Sequence, residues 1–241
     1  MLSELSNLTP HIYKTEFDDE ATAFLQQFYP EALQSPMEVP IVYVARHKMG
    51  LRIVERRLSE DFSILGQMCF TSGLAEIYDK ETDEYKEVKV RYGTMIIDPD
   101  TINKRNEGCK NNTVAHECFH WHKHRDYYIS TSVRVKAKAV ERHFSYEEKP
   151  ESTQPQWTDE DWMEWQARGI APRILMPIDT FNTVAERFIA DYLDNPATHR
   201  KWRSLHGWVV DNLSEFYKVS KKSAEIRLEE TGYCLDDYSP F

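Results

Sequence analysis

The 241-residue chain is 41% hydrophobic and 12% aromatic, which suffices for one large domain or a domain with an appendage and excludes a multidomain array. Forty acidic against 30 basic side chains give a formal charge of −10, which repels a polyanion and disfavours general nucleic-acid binding. No uncharged apolar run approaches the ~18 residues of a membrane span, and residues 1–20 lack the positive start and apolar stretch of a secretory signal, so a cytoplasmic protein is expected. Cys69, Cys109, Cys118 and Cys234 have no CxxC spacing and fit ordinary reduced thiols rather than a disulfide framework.

Asp18 or Asp19 can cap a helix through residues 19–33, with Ala23, Leu25, Phe28 and Ala32 on one side and Pro36 closing it. A short helix is expected from Pro40, leaving through Gly50. Strands are expected at 51–58, 63–71, 73–79 and 87–98, the last on the alternation of Val88, Val90, Tyr92, Thr94 and Ile96. They would form a small, mostly antiparallel sheet that stops at the turn 98–101. Next comes a helix capped by Asn111 or Asn112, with Val114, Ala115, Cys118 and Phe119 as its buried stripe. Residues 145–158 are polar and read as an exposed loop, and Thr158 with Asp159, Glu160 and Asp161 suits a helix start that carries the chain to about Ile170. Helices over 179–194, 198–217 and 220–230 complete the chain.

His116-Glu117-Cys118-Phe119-His120 is an HExxH motif on the first of these later helices. Residues four apart share a helical face, so both imidazoles can reach one metal ion. Zinc with three protein ligands keeps a fourth position for water and lowers its pKa, and Glu117 stands where it can take that proton. HExxH arises by chance in on the order of one chain in a hundred of this length, so the apolar stripe and the adjacent strands matter as context. Glu164, 44 positions after His120 on a second helix, is the candidate third ligand, bordering the packing stripe Met163, Ala167, Ile170 and Ala171. His124, eight residues after His116, is a candidate to orient a ligand, and His122 a weaker one. Tyr92, Arg125, Tyr128 and His143 are all candidates to stabilise an oxyanion, with nothing in the sequence to choose among them. Cys118 is read as core.

These residues resemble a family. His116 to His120, then Glu164-Trp165-Gln166-Ala167, then Ile174-Leu175-Met176-Pro177, are similar to the HExxH, ExxA and LLMP pattern of the ImmA/IrrE zinc metallopeptidases. Residues 216–233 look like that family's tail, and 93–100 followed by 111–117 look like its strand, turn and active-site helix. The resemblance covers most of residues 20–233 and identifies Glu164 with the family's ExxA glutamate. Gly169, Ile170 and Pro172 depart from it, so the helix carrying Glu164 is expected to end early or kink there.

The resemblance implies a zincin-like α+β catalytic domain over residues 1–178, with zinc on His116, His120 and Glu164, and Glu117 as general base. It further implies a helical region over 179–241 resembling a helix-turn-helix, and cleavage of a helix-turn-helix transcriptional repressor that controls mobile-element or stress genes. The alternative is a non-catalytic antirepressor in which zinc staples the fold. Residues 198–227 carry seven basic against three acidic side chains, about +4, which suggests DNA contact, but the total charge opposes it and direct DNA binding is not expected.

Overall fold

The computed structural model describes residues 8–134, 143–144, 157–195, 204–233 and 235. Asp18, Asp19 and Glu20 meet the positive end of helix α1 (Phe17–Phe28), which buries Phe17, Ala21, Phe24 and Leu25. Ala23 is exposed, contrary to the expected stripe, because the three- and four-residue spacing of the buried face starts from Ala21. After the short α2 (Glu31–Gln34), α3 (Ile41–Tyr43) runs into a π-helical turn over Val44–Lys48 and leaves through Gly50 at φ +70°.

The strands form two sheets. β1 (Arg52–Glu55), β2 (Ile64–Cys69), β5 (Thr94–Ile97) and β6 (His143–Phe144) make a four-stranded sheet in the order β1-β5-β2-β6, while β3 (Gly73–Asp79) and β4 (Glu84–Val90) form a separate hairpin. In the larger sheet β1 pairs parallel to β5, and β2 pairs antiparallel to both β5 and β6. The run expected as one strand over 87–98 is thus two strands in different sheets. Gly93, at φ +75°, turns the chain out of the hairpin and into the slot between β1 and β2. The alternation survives the break only in part: Val88 and Val90 pack with Ile96, Leu58, Ile64, Cys69 and Ala75 between hairpin and sheet, whereas Tyr92, at the break, is half exposed. Met68, Met95 and Ile97 enter the main core on the opposite face.

That opposite face receives α4 (Glu107–Phe119), which continues through a π-helical turn at His120–His124 into α5 (Arg125–Arg134). The expected loop over 145–158 lies largely outside the described residues. α6 (Asp159–Leu175) packs along α4 and α1 and does not end at Ile170. Gly169 lets the Phe17 ring approach where a Cβ would stand 2.2 Å from its Cε2. Pro172 sits within the helix, and the Arg173 guanidinium donates to the Gly169 carbonyl at 2.5 Å, while Met176 N–H closes on Pro172 O at 3.0 Å. α7 (Ile178–Asp194), α8 (Leu205–Tyr217) and α9 (Lys221–Glu230) follow. Their Phe181, Val209, Leu213, Tyr217, Ala224 and Leu228 join the same apolar core as Val114 and Phe119 of α4. Among the described helices none is long and apolar enough to cross a membrane.

Two contacts lock these last helices to the rest. Arg227, 2% exposed, pairs with Asp18 of α1 and donates through Nε to Met176 O, while Arg173 of α6 pairs with Glu230 at 2.8 Å. At the start of α4, Gly108 lies directly against the backbone of the α8–α9 turn: a Cβ there would stand 2.2 Å from the Val219 carbonyl carbon. Alanine in a helix normally stabilises over glycine by about 0.5–1 kcal/mol. Here Gly108→Ala is expected to destabilise by about 1–3 kcal/mol in urea unfolding, and a gain would contradict the close packing.

Cys69 and Cys118 are wholly enclosed, and burial pushes both thiols up, Cys69 to about 12. A chromogenic thiol reagent at neutral pH is therefore expected to reach no more than two of the four cysteines in the native chain and all four after denaturation. Rapid native reaction of a third thiol would show that one of the two enclosed sites is open.

Candidate metal centre

Helix α4 starts one turn earlier than expected. Asn106, in an extended conformation, caps it by accepting from Cys109 N–H at 2.8 Å, whereas Asn111, within the helix, donates to Lys218 O at 3.0 Å. The register this sets turns His116 and His120 inward, both at most 1% exposed. Helix α6 begins with a reciprocal cap: Thr158 Oγ1 accepts from Asp161 N–H, and Asp161 Oδ2 accepts from Thr158 N–H, each at 3.1 Å. Asp159, Glu160 and Asp161 are thus first-turn acids, and Glu164 follows on the face toward α4.

The three sequence-selected groups converge. His116 Nε2 and His120 Nε2 lie 2.9 Å apart, and the Glu164 carboxylate reaches them at 3.4 Å and 3.0 Å. One ligand atom from each falls within 4.8 Å of the others. A tetrahedral ion with ligand bonds of ~2.0–2.2 Å needs donor atoms ~3.3–3.5 Å apart, so the residues fit zinc after a movement of a few tenths of an ångström. Burial pushes the Glu164 carboxyl up, but the facing imidazoles outweigh it and hold the group well below the ordinary carboxylate range. It is an anion beside two buried imidazoles, the donor set that a divalent cation satisfies.

Glu117, 2% exposed, turns toward the sheet. Its Oε1 lies 2.8 Å from where a Cβ on Gly66 of β2 would stand, and Thr113 Cγ2 lies 2.6 Å from the same point. The missing side chain of Gly66 is what leaves room for this carboxylate, and a glycine inside a strand is the sequence signal that could have pointed to it. β6 adds backbone on the same strand, with His143 in register opposite Gly66.

His124 is fully buried and joins the site. In a regular helix a four-residue step overshoots one turn by ~40°. The wider π turn over His120–His124 removes part of that drift, and His124 Nδ1 meets His120 Nδ1 at 3.0 Å. Its Nε2 lies 3.0 Å from Gln166 Oε1, and the Gln166 amide donates to Pro10 O at 2.7 Å. Gln166 and Pro10 were missed because a buried amide and a backbone carbonyl leave no pattern in a sequence. His122 points away from this cluster, its ring edge-on to Phe24 and Phe28, and burial lowers its pKa to about 4.

Of the oxyanion candidates, Tyr128 is buried against Phe70 with its ring 6.0 Å from that of His120. Tyr92 is half exposed and packs on Trp121, over which Arg125 also lies. Cys118 is in the core, as expected. A cleft of about 380 Å³ lined by Glu38, Tyr43, Arg46, His47 and Glu107 opens beside the first turn of α4, and none of His116, His120 and Glu164 lines it.

No curated protein matches this chain. A family model does match, that of the IrrE N-terminal-like domain of peptidase family M78, over residues 101–229. The matched span begins after β5 and contains α4, α6 and the C-terminal helices, hence all three converging side chains. Covering more than half of the chain and carrying its candidate metal centre, the match places this protein in peptidase family M78, the IrrE-like metallopeptidases.

Proposed function

We propose that the protein is a zinc-dependent endopeptidase acting in the cytoplasm on a helix-turn-helix transcriptional repressor, whose cleavage relieves repression of mobile-element or stress genes. The observation that carries the chemistry is the convergence of His116, His120 and Glu164 next to Glu117. His116 and His120 bind through Nε2 and Glu164 through its carboxylate. Bound there, zinc supplies Lewis acidity and a water acidified toward neutral pH. Glu117 accepts a proton as the peptide carbonyl is attacked and returns it to the departing amine. The absence of a side chain on Gly66 leaves room for the Glu117 carboxylate at the sheet, and the burial of His116, Glu117 and His120 strengthens these interactions.

A zincin-like reading is supported by the metal helix lying under a sheet whose β2 faces Glu117. The helix-turn-helix likeness of the C-terminal region rests on α8, the left-handed Lys218 and α9. Its use against duplex DNA is disfavoured by its charges: Lys218 pairs with Glu215, Lys221 with Asp211, Lys222 with Glu225 and Arg227 with Asp18. The cytoplasmic assignment is supported by Cys69, Cys109 and Cys118, which are free thiols.

Metal analysis of the purified chain is expected to give one zinc ion, with His116→Ala and Glu164→Ala each losing more affinity than the ~10–100-fold that an outer hydrogen-bond partner costs. Equal zinc content in all three proteins would remove this site. Glu117→Gln is expected to keep zinc and to lower cleavage of a co-encoded helix-turn-helix repressor by about 10²–10⁴-fold. If that variant still inactivates the repressor without cutting it, the protein is a non-catalytic antirepressor with a structural metal.

A further inference from the structure

Helix α4 carries the site on two faces, and a different neighbour fixes each. His116 and His120, four positions apart, face Glu164 of α6. Thr113 and Glu117, also four apart, face Gly66 of β2, Glu117 being turned ~100° from His116 around the helix axis. A glycine inside a strand weakens it, and the backbone of Gly66 does not call for one: among the described residues the left-handed glycines are Gly50, Gly93 and Gly232. What Gly66 supplies is space. A Cβ there would stand 2.6 Å from Thr113 Cγ2, 2.8 Å from Glu117 Oε1 and 3.3 Å from Glu117 Cγ. Of the groups that meet at this point, the carboxylate is the one that can yield. At Gly66 the strand is in register with Ile97 of β5 on one side and His143 of β6 on the other, and the hairpin covers its far face through Cys69 and Ala75. Thr113 is 1% exposed and β-branched, and its Oγ1 donates to Cys109 O at 3.0 Å, which holds its rotamer.

We propose that Gly66 is a positioning residue for the Glu117 carboxylate, and that the site is thereby divided: the sheet governs where the base stands, while α6 governs the metal ligands. A side chain at position 66 displaces the carboxylate from β2 and leaves His116, His120 and Glu164 where they are, because those three meet on the face of α4 that β2 does not touch at this point. Base and metal can then be lost separately. The catalytic consequence rests on the reading of Glu117 as general base given above, whereas the displacement itself is a matter of packing and is observed without any assay.

The experiment uses the full chain. Gly66→Ala is expected to hold zinc within about threefold of the wild type in chelator competition, to lower kcat on the co-encoded repressor by about 10²-fold or more, and to leave KM within about threefold. Its crystal structure is expected to show Glu117 Oε1 moved from β2 by more than about 0.5 Å, the least that restores an ordinary contact, with the three ligands in place. Added to Glu117→Gln, Gly66→Ala is expected to cost no further kcat, since it acts through that carboxylate, whereas a merely structural role would add its loss to either background. If Gly66→Ala does not fold, the same measurements are made on Gly66→Ala with Thr113→Ser, which removes the nearest atom and keeps the hydroxyl bond. Unchanged kcat, zinc lost in step with cleavage, or an additive loss on top of Glu117→Gln would overturn the proposal. Should the wild type cut nothing, or Glu117→Gln cut as fast as the wild type, the base reading fails, and the crystal structure still decides: a carboxylate left in place beside Ala at position 66 overturns the positioning role.

Discussion

A carboxylate from one helix and two imidazoles from another, facing each other inside an apolar core, are the constraint from which the surrounding structure follows. Polar groups removed from water cost free energy on the order of 1–3 kcal/mol each unless they are hydrogen-bonded or bind a cation. The arrangement therefore requires α4 and α6 to pack in one register, with little tolerance for rotation of either. Each helix has a start that fixes its register: Asn106 caps α4, and the Thr158–Asp161 exchange caps α6. A one-residue slip would swing a side chain by ~100° and take His116 or Glu164 off the shared point.

Close approach around this pair is obtained by removing side chains where backbones or rings must pass. Gly66 admits the Glu117 carboxylate beside β2, Gly169 admits the Phe17 ring beside α6, and Gly108 admits the α8–α9 turn beside the first turn of α4. The C-terminal helices are thereby part of the scaffold of the metal helix. The Asp18, Arg173, Arg227 and Glu230 network has the same effect at the far side, joining α1, α6 and α9. Paired charges of this kind add little net stability when exposed, but Arg227 is nearly fully enclosed, and losing Asp18 would leave its charge poorly compensated.

This division of labour bears on recognition. Each described lysine or arginine from Lys218 to Arg227 is paired with a carboxylate, which gives that segment a mixed-charge surface. An acidic chain with such a segment is a poor electrostatic match for a polyanion.

How much of this was legible follows from how local each signal is. HExxH spacing places two histidines on one helical face by geometry alone, and the stripes of α4 and α6 are periodic, so the metal helix and the orientation of Glu164 could be read from order along the chain. The cap at Asn106 was misplaced to Asn111 or Asn112 because several asparagines are equally good local caps, and only the contact with Lys218 O determines which of them stays inside the helix. The split of 87–98 likewise depends on partners, the neighbouring strands on either side of β5. Sequence by itself determined the chemistry of the donors and the faces they occupy. Tertiary structure alone decided that His116, His120 and Glu164 share a point, that Glu117 rests against a glycine, and that Gln166 and Pro10 stand behind His120. Convergence of residues 156 positions apart is a property of packing, and no local period encodes it.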